Sequence, residues 1–501
     1  MVAQNPLFSG RFTFKKFQAT VINDIWPEVL FFTAVATAVA VVTKLDVKNL
    51  GINSALLTVL GTVLGLVISF RTSSAYERYQ DGRKMWTNIN TASRNLGQII
   101  WIHVALNRED KGLQRKQTTL ESIIEKKSLI NLLQAFPVAV KHFLRGEQGV
   151  YYEDLYPLIS FLPKYANGIN DPTDCLPLWH SHEHEQQPIR SHVDNLNNDD
   201  EKGRRHERGE PTLVEGKPDS RSSSRVGKKR KDNFDPEAAL PDVESEVPLK
   251  PARNPPETSI FDFIPLLRFF RWVVRVILKR ATPGESRHRK ARHVNVESNV
   301  PLEITLFLNN YTAFLMRSGL VQPAIATALQ GNLAILQDTL SNLERICNTP
   351  LPFAYQAHLR MSLWLYLLFL PFQVVTPMGW ITIPGTAFAS FLLLGFLEIG
   401  QEIENPFNYD LNDLDLDYFC LDIQRQLHEI TTHTNPDPSE FIFSALNQPF
   451  APADKRSAAD IVAAGENYQT PEADANPGMN SIRRTLVRSW KNVDILTRKA
   501  Y

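Results

Sequence analysis

Apolar residues gather into four long runs along this chain, and the second of them differs from the rest. From Asn53 it reads NSALLTVLGTVLGLVISF, then passes without a proline into RTSSAYERYQDGRKMWTNINTASRN, where Arg, Lys, Asp and Glu are frequent. The apolar half is about 20 residues long, enough to cross a hydrocarbon core of roughly 30 Å, and both halves keep helix-compatible composition. The pattern predicts one helix over Asn53 to Arg94 that spans a membrane and projects into water.

Within the apolar half, Thr62, Leu66 and Phe70 are four residues apart and share a face, while Gly61 and Gly65 offer a small-residue face for close helix approach. Apolar side chains from several copies would form a hydrophobic constriction that gates by dewetting. The same face would also suit lipid or protein contact, as on any transmembrane helix.

The other runs complete two hairpins. Trp26 to about Leu45 forms the first span, with Pro27 in the first turn and Trp26 at the interface. Residues 360 to 376 and 380 to 399 form the third and fourth, each with an internal proline, Pro371 and Pro384. Arg11, Lys15 and Lys16 precede span one, Arg71, Arg78, Arg83 and Lys84 follow span two, and Arg345 and Arg360 precede span three. The short loop of the first hairpin has only Lys44 and Lys48, and that of the second has neither Lys nor Arg. By the positive-inside rule both termini and all large loops face the cytosol, at the plasma membrane or an organelle membrane.

The expected class is an all-α polytopic membrane protein with four transmembrane helices and a cytosolic helical bundle. Its divisions are an N-terminal arm over 1–25, the first hairpin over 26–70, cytosolic helices over 71–166 and an insert over 167–257. Further cytosolic helices over 258–358, the second hairpin over 359–400, an acidic turn and helix over 401–430 and a tail over 431–501 follow. The arm interleaves Arg11, Lys15 and Lys16 with phenylalanines, which suits a membrane interface or a strand-like tail. Residues 118 to 145 and 151 to 165 read as helices, the former with a break at Pro137. The insert is poor in aromatics and rich in polar residues and proline, which predicts disorder. Its HSHEHE around His180, His182 and His184 and its KKRK from Lys228 read as solvated charge, with a metal site and a lipid or localisation patch as the alternatives. The aromatic and basic segment after Ser259 belongs at the interface or on the bundle, because Arg268, Arg271 and Arg275 oppose a span. Ile325, Leu329, Leu333, Leu336, Leu340 and Leu343 form an apolar seam that a helix partner or an oligomer core would use equally well. The tail ends in a short basic helix, SIRRTLVRSWKNV.

Composition narrows the function. The 54 basic and 54 acidic residues balance, which argues against a nucleic-acid binder. Mean hydropathy of −0.22 hides the four apolar segments. Cys175, Cys347 and Cys420 are too few and scattered for a disulfide framework and read as reduced thiols. The N-terminal apolar run lacks a small-residue cleavage site, so no cleaved signal peptide is expected. A Walker loop, HExxH and a Gly-x-Ser-x-Gly elbow are missing, which argues against an enzyme.

After the fourth span, QEIENPFNYDLNDLDLDYFC crowds Glu402, Glu404, Asp410, Asp413, Asp415 and Asp417 around Asn405-Pro406. Hard cations such as calcium take six to eight oxygen ligands, which acids and free carbonyls here can supply; the spacing is not that of an EF-hand. Equally, Asn412 or Asp413 caps the following helix.

Three stretches carry a resemblance. ISFRTSSAYERYQDGRKMW at 68–86, TPLPFAY at 349–355 and EIENPFNYDLNDLDLD at 402–417 resemble the bestrophin family, in the branch shared by fungi, plants and bacteria. The resemblance covers roughly residues 20–165 and 300–430. It implies a homopentameric ion channel, anion-selective in its animal members, whose second span lines a central pore. The family's hydrophobic neck falls on Thr62, Leu66 and Phe70, with Thr62 standing where an apolar side chain is usual. A lower cytosolic aperture falls near Leu333. The calcium clasp of animal members maps onto Glu402, Asn405, Asp410 and Asp413, with Glu402 in place of a glutamine. The resemblance implies a passive channel for chloride or other small anions, with membrane lipids and its own copies as partners and calcium as a candidate cofactor. Some bacterial relatives favour cations, so a cation channel of the same fold is the first alternative. A membrane scaffold that docks partners on the insert is the second.

Overall fold

The structure, a computed structural model, describes residues 19–45, 49–52, 55–106, 117–147, 149–166, 239–243, 245, 248–255, 299–434, 436–469 and 476–498. The expected arm through residue 18, Cys175, the HSHEHE and KKRK stretches and the aromatic segment after Ser259 lie outside them. The chain divides into two compact units, Met1–Leu427 and His428–Tyr501.

In the first unit, four apolar helices pack together: α1 (Ile22–Lys44), the first half of α2 (Ala55–Gln98), α6 (Phe353–Met378) and α7 (Thr382–Glu402). Phe32 of α1, Leu64 and Ile68 of α2, Leu363 and Leu367 of α6 and Leu394 and Leu397 of α7 share one core. Three stretches are long and apolar enough to cross a membrane, Ile22–Lys44, Val59–His103 and Phe353–Glu402. The third folds back on itself where Gly379, at φ 56°, ends α6, so it supplies two helices. Helix α6 runs unbroken through Pro371.

Helix α2 is a single 44-residue rod, about 66 Å long at 1.5 Å per residue. Its polar half packs against α5 (Pro323–Asn348), which packs on α4 (Val300–Arg317), which in turn packs on α3 (Thr119–Leu144). Helix α3 opens with a capping box, Thr118 with Glu121, and continues through Pro137 without the expected break. All side chains from Leu132 to His142 are buried, so α3 is covered on every side, which leaves Pro137 packed rather than kinking. Residues 151–165, expected as a helix, form two single turns, Tyr156–Ile159 and Pro163–Ala166. Helix α8 (Leu416–Thr431) lays Phe419 against Trp86 of α2, with ring centroids 5.7 Å apart.

Covered on every side, α3 nevertheless carries charge at its end. Lys141 Nζ donates to Asp154 Oδ2 at 2.5 Å and to Asp417 Oδ1 at 3.0 Å, and Arg145 donates to Asp417 Oδ2 at 3.0 Å. His142 places its two ring nitrogens 2.5 Å from Glu147 and 2.9 Å from Asp154. Burial acts against the charged forms, yet the neighbouring cations hold Asp154 and Asp417 below the usual carboxylate range, and burial pushes the Cys420 thiol beside them up to about 12. Described residues within the expected insert meet this cluster: Lys141 Nζ also donates to the Ala252 carbonyl, and Lys250 bridges to Tyr152. The backbone N–H of Asn254 donates to the Tyr409 hydroxyl, which donates to Glu147.

The apolar and polar halves are joined at one place. Arg71 is buried and donates to the Leu397 carbonyl of α7 at 2.5 Å, with Glu404 3.9 Å away. Glu404 accepts from the Leu351 N–H at 2.7 Å and from Gln356. Two turns further along α2, Arg78 donates to three carbonyls: Ile346 and Thr349 at the end of α5, and Glu404 just past α7. Gly82 sits under Phe407 so closely that a Cβ there would be 3.0 Å from the ring.

The second unit is built around the buried Tyr468, whose hydroxyl donates to Asp454 Oδ2 at 2.8 Å. Arg456 pairs with the same carboxylate at 2.6 Å and holds it down to about 2. Helix α9 (Met479–Arg498) leans on this centre through Thr485.

Two outcomes follow. Arg78→Ala, by removing three charge-assisted hydrogen bonds, is expected to destabilise the first unit by about 2–4 kcal/mol, and Arg78→Lys to recover less than half of that, because an ammonium cannot span three carbonyls; thermal unfolding of the purified chain measures both. Lys141→Met, which leaves two buried aspartates short of a cation, is expected to cost about 3 kcal/mol at neutral pH. Because Asp154 and Asp417 have folded values below their unfolded ones, that deficit is complete above about pH 4 and shrinks as pH falls further, which unfolding from pH 7 to pH 3 tests.

Candidate functional site

Helix α2 carries two opposed stripes, and they decide what the site can be. One stripe, Leu64, Ile68, Arg71, Ala75, Gly82, Trp86, Ile89 and Ser93, is buried against the rest of the first unit. The opposite line, Val59, Leu66, Phe70, Ser73, Glu77, Lys84, Asn88 and Thr91, is uncovered along nearly the whole rod. Leu66 and Phe70 are 58% and 62% exposed, and Thr62 is exposed beside them. The line changes from oily to polar at Ser73, directly after the turn that carries Arg71. Of the small-residue face, Gly61 is used, since a Cβ there would lie 2.9 Å from the Tyr366 hydroxyl of α6, whereas Gly65 is exposed with nothing within 4 Å of where its Cβ would be.

Leu333, read as lying near a lower aperture, is 2% exposed and lies on the buried side of α5 with Leu329, Leu336, Leu340 and Leu343. Within the chain this seam packs towards α2 and α4. Ile335, 45% exposed, and Gly331 stand on the uncovered side of the same helix. An apolar periodicity shows that a helix has a face but not whether the same chain covers it, which is why the sequence left both uses open.

The acidic turn brings together some of the residues read as a clasp. Asp410 and Asp413 close on each other: the Asp410 N–H donates to Asp413 Oδ2 at 2.9 Å, and the Asp413 N–H to the Asp410 carbonyl at 3.1 Å. Burial, with the charges of Asp410 and Glu402 adding to it, pushes the Asp413 carboxyl up to about 7. Glu402 is reached through Asn412, whose amide donates to Glu402 Oε1 at 2.7 Å and to the Ala19 carbonyl at 2.8 Å. Asn405 Oδ1 is buried among the described residues with no hydrogen-bond partner. Among the described residues no group of three or more His, Cys, Asp or Glu side chains converges closely enough to hold a metal by itself. A hard cation here would therefore draw on backbone and amide oxygens beside Asp410 and Asp413. The helix cap is supplied by neither Asn412 nor Asp413: Asp415 Oδ1 accepts from the Tyr418 N–H.

Sequence reasoning missed the joint formed by Arg71, Arg78 and Glu404 and the charged cluster around Lys141. A signal for the first was present, since Arg71 follows directly on an apolar run and Arg78 comes two helical turns later. For the second the sequence gives only a Lys-His pair at the end of the apolar stretch Leu132–Val140.

The three stretches that carried the resemblance meet at the joint: Arg71, Arg78 and Gly82 from the first, Thr349 and Leu351 from the second, Glu404 and Phe407 from the third. Comparison with known proteins agrees with that convergence. Residues 3–200 and 278–429 match the family described as Bacterial/Fungal Bestrophin protein. A voltage-dependent anion channel-forming protein of Nostoc sp. is 26% identical over 370 residues, covering 74% of this chain and 75% of that one. Another so named, from Synechocystis sp., is 25% identical over 416 residues, covering 83% and 89%. A solved bacterial bestrophin homologue from Klebsiella pneumoniae aligns at 18% identity with a TM-score of 0.44, over 81% of this chain and 97% of that one. With a matched region that takes in both hairpins, the joint and the acidic turn, the chain is a multi-pass integral membrane protein that belongs to the bacterial and fungal bestrophin family.

Proposed function

We propose that copies of this chain, five by family resemblance, surround a common axis and conduct chloride or other small anions passively along the uncovered line of α2. The observation that carries this reading is the continuity of that line. From Val59 through Phe70 into Ser73, Glu77, Lys84 and Asn88 the chain covers this line nowhere, so along both the apolar and the polar half of the rod the same face is left for other copies. Thr62, Leu66 and Phe70 then form the neck, where dry apolar walls obstruct every ion and wetting opens the path. Anions are favoured there by the positive edges of the Phe70 rings. The two cyanobacterial relatives are named as anion channel-forming proteins, which supports the same choice of ion. The four apolar helices cross the bilayer as two hairpins with both termini in the cytosol.

Calcium at the acidic turn is part of this proposal. Asp410 and Asp413 with nearby carbonyls, including that of Asn405, would hold it, and Glu402 takes part only through Asn412. When bound it would supply the positive charge that the crowded carboxylates lack.

Planar-bilayer recording across a chloride gradient tests the first reading. The current is expected to reverse near the chloride potential, and reversal at the cation potential would favour the cation-permeable alternative. Leu66→Ala with Phe70→Ala is expected to raise the anion current several-fold by wetting the neck, and unchanged flux would remove α2 from the pathway. Calcium is expected to raise the unfolding temperature by several degrees at pH 7.5 and by less at pH 6, since Asp413 binds a proton as pH falls through about 7. Asp413→Asn should abolish that shift, and a shift that survives in the variant places calcium elsewhere.

A further inference from the structure

Helix α9 is amphipathic in the opposite sense to a helix that packs by its oily side. The side chains it turns inward are Ser481 and Thr485, both fully buried, with Thr485 3.1 Å from the Tyr468 hydroxyl and Ser481 donating to the Asn476 carbonyl. Ser489 adds a hydrogen bond to the Ala451 carbonyl at 3.0 Å. Met479, Leu486, Trp490 and Val493 recur at helical spacing along one uncovered arc, with Leu486 50% and Trp490 66% exposed. Arg483, Lys491 and Arg498 stand exposed on the side of that arc away from Ser481 and Thr485. The single acidic residue of the helix, Asp494, is paired with Arg498 at 3.0 Å.

A helix normally hides its apolar arc, so an arc left outside is covered by something beyond the chain's own fold. We infer that α9 lies flat on the surface of an anionic lipid bilayer, with Trp490 and Leu486 set among the upper acyl carbons and Arg483 and Lys491 on lipid phosphates. Three observations favour this occupant. The charge is one-sided, and an anionic bilayer presents phosphate and hydrocarbon at the right separation for a cationic flank beside an oily arc. A second copy of the same face would set cations against cations, which opposes self-pairing. The chain is also anchored to a bilayer by its own spans, so a membrane is always within reach at high effective concentration. The inference does not depend on whether the chain conducts ions.

A photoreactive benzoylphenylalanine introduced at Trp490 of the full-length chain tests it. The protein is reconstituted in vesicles of phosphatidylcholine alone or of phosphatidylcholine with phosphatidylserine, irradiated, and read by mass spectrometry for a phospholipid adduct and by denaturing gel for a subunit adduct. The expected result is a phospholipid adduct several-fold more abundant with phosphatidylserine. The charge reversals Arg483→Glu and Lys491→Glu should each reduce it roughly fivefold at low salt, with elution volume and anion flux unchanged. A subunit adduct in place of the lipid one, equal lipid yield in the two vesicles, or no adduct overturns the inference.

Discussion

A helix that leaves a bilayer without a break poses a problem of attachment, and the Arg71, Arg78 and Glu404 joint solves it. Within the apolar half, packing of Leu64 and Ile68 against α6 and α7 holds α2 in place but has little directional content. At Arg71 the guanidinium is buried against a carbonyl of α7 and faces Glu404, and two turns later Arg78 takes three carbonyls at once. Those carbonyls belong to helix ends, where backbone acceptors lack intrahelical partners. Two arginines thus satisfy the ends of α5 and α7 while setting the rotation of α2. Everything uncovered on α2 is uncovered because this joint faces the other way.

The charged cluster around Lys141 does for the polar half what the joint does for the boundary. Its cations, Lys141 and Arg145, and the His142 ring between them sit at the end of α3, while its carboxylates come from the segment after α3 and from α8. Charges in such a setting are costly unless each has a partner, so the cluster specifies where those segments meet rather than merely adding stability. Tyr409 extends it: Arg145 lies 4.1 Å over its ring, and its hydroxyl joins Asn254 of the insert to Glu147. The returning end of the insert is thereby fixed beside the residue that precedes Asp410.

How much of this was legible in the sequence depends on the kind of interaction. The long helix could be read because periodicity and length are properties of one segment. The side of α2 that stays open could be read in part, since Thr62, Leu66 and Phe70 share a face whatever covers the opposite one. Leu333 could not be placed, because its seam looks the same whether it meets α2 or a pore. Pro137 signalled a break only while α3 was judged alone; inside a bundle, packing on all sides outweighs one missing hydrogen bond. The joint and the Lys141 cluster bring together residues separated by as many as 326 positions, and pairings of that kind leave no local pattern.

The uncovered apolar line of α2 and the acidic turn are neighbours of the joint in sequence as well as in space. Phe70 precedes Arg71 by one residue, so about 100° of helix separates the uncovered ring from the buried guanidinium, and neither can rotate without the other. Glu402 precedes Glu404 by two residues, and Asn412 ties Glu402 to the strand of chain at Ala19 that leads into α1. A change in charge at Asp413 therefore acts on a segment whose other end holds the partner of Arg71. Along the chain, Asp413 and the uncovered apolar line of α2 thus lie to either side of the Arg71–Glu404 pair. The direction in which Phe70 faces is tied to the direction in which Arg71 is held, in addition to the packing of Leu64 and Ile68.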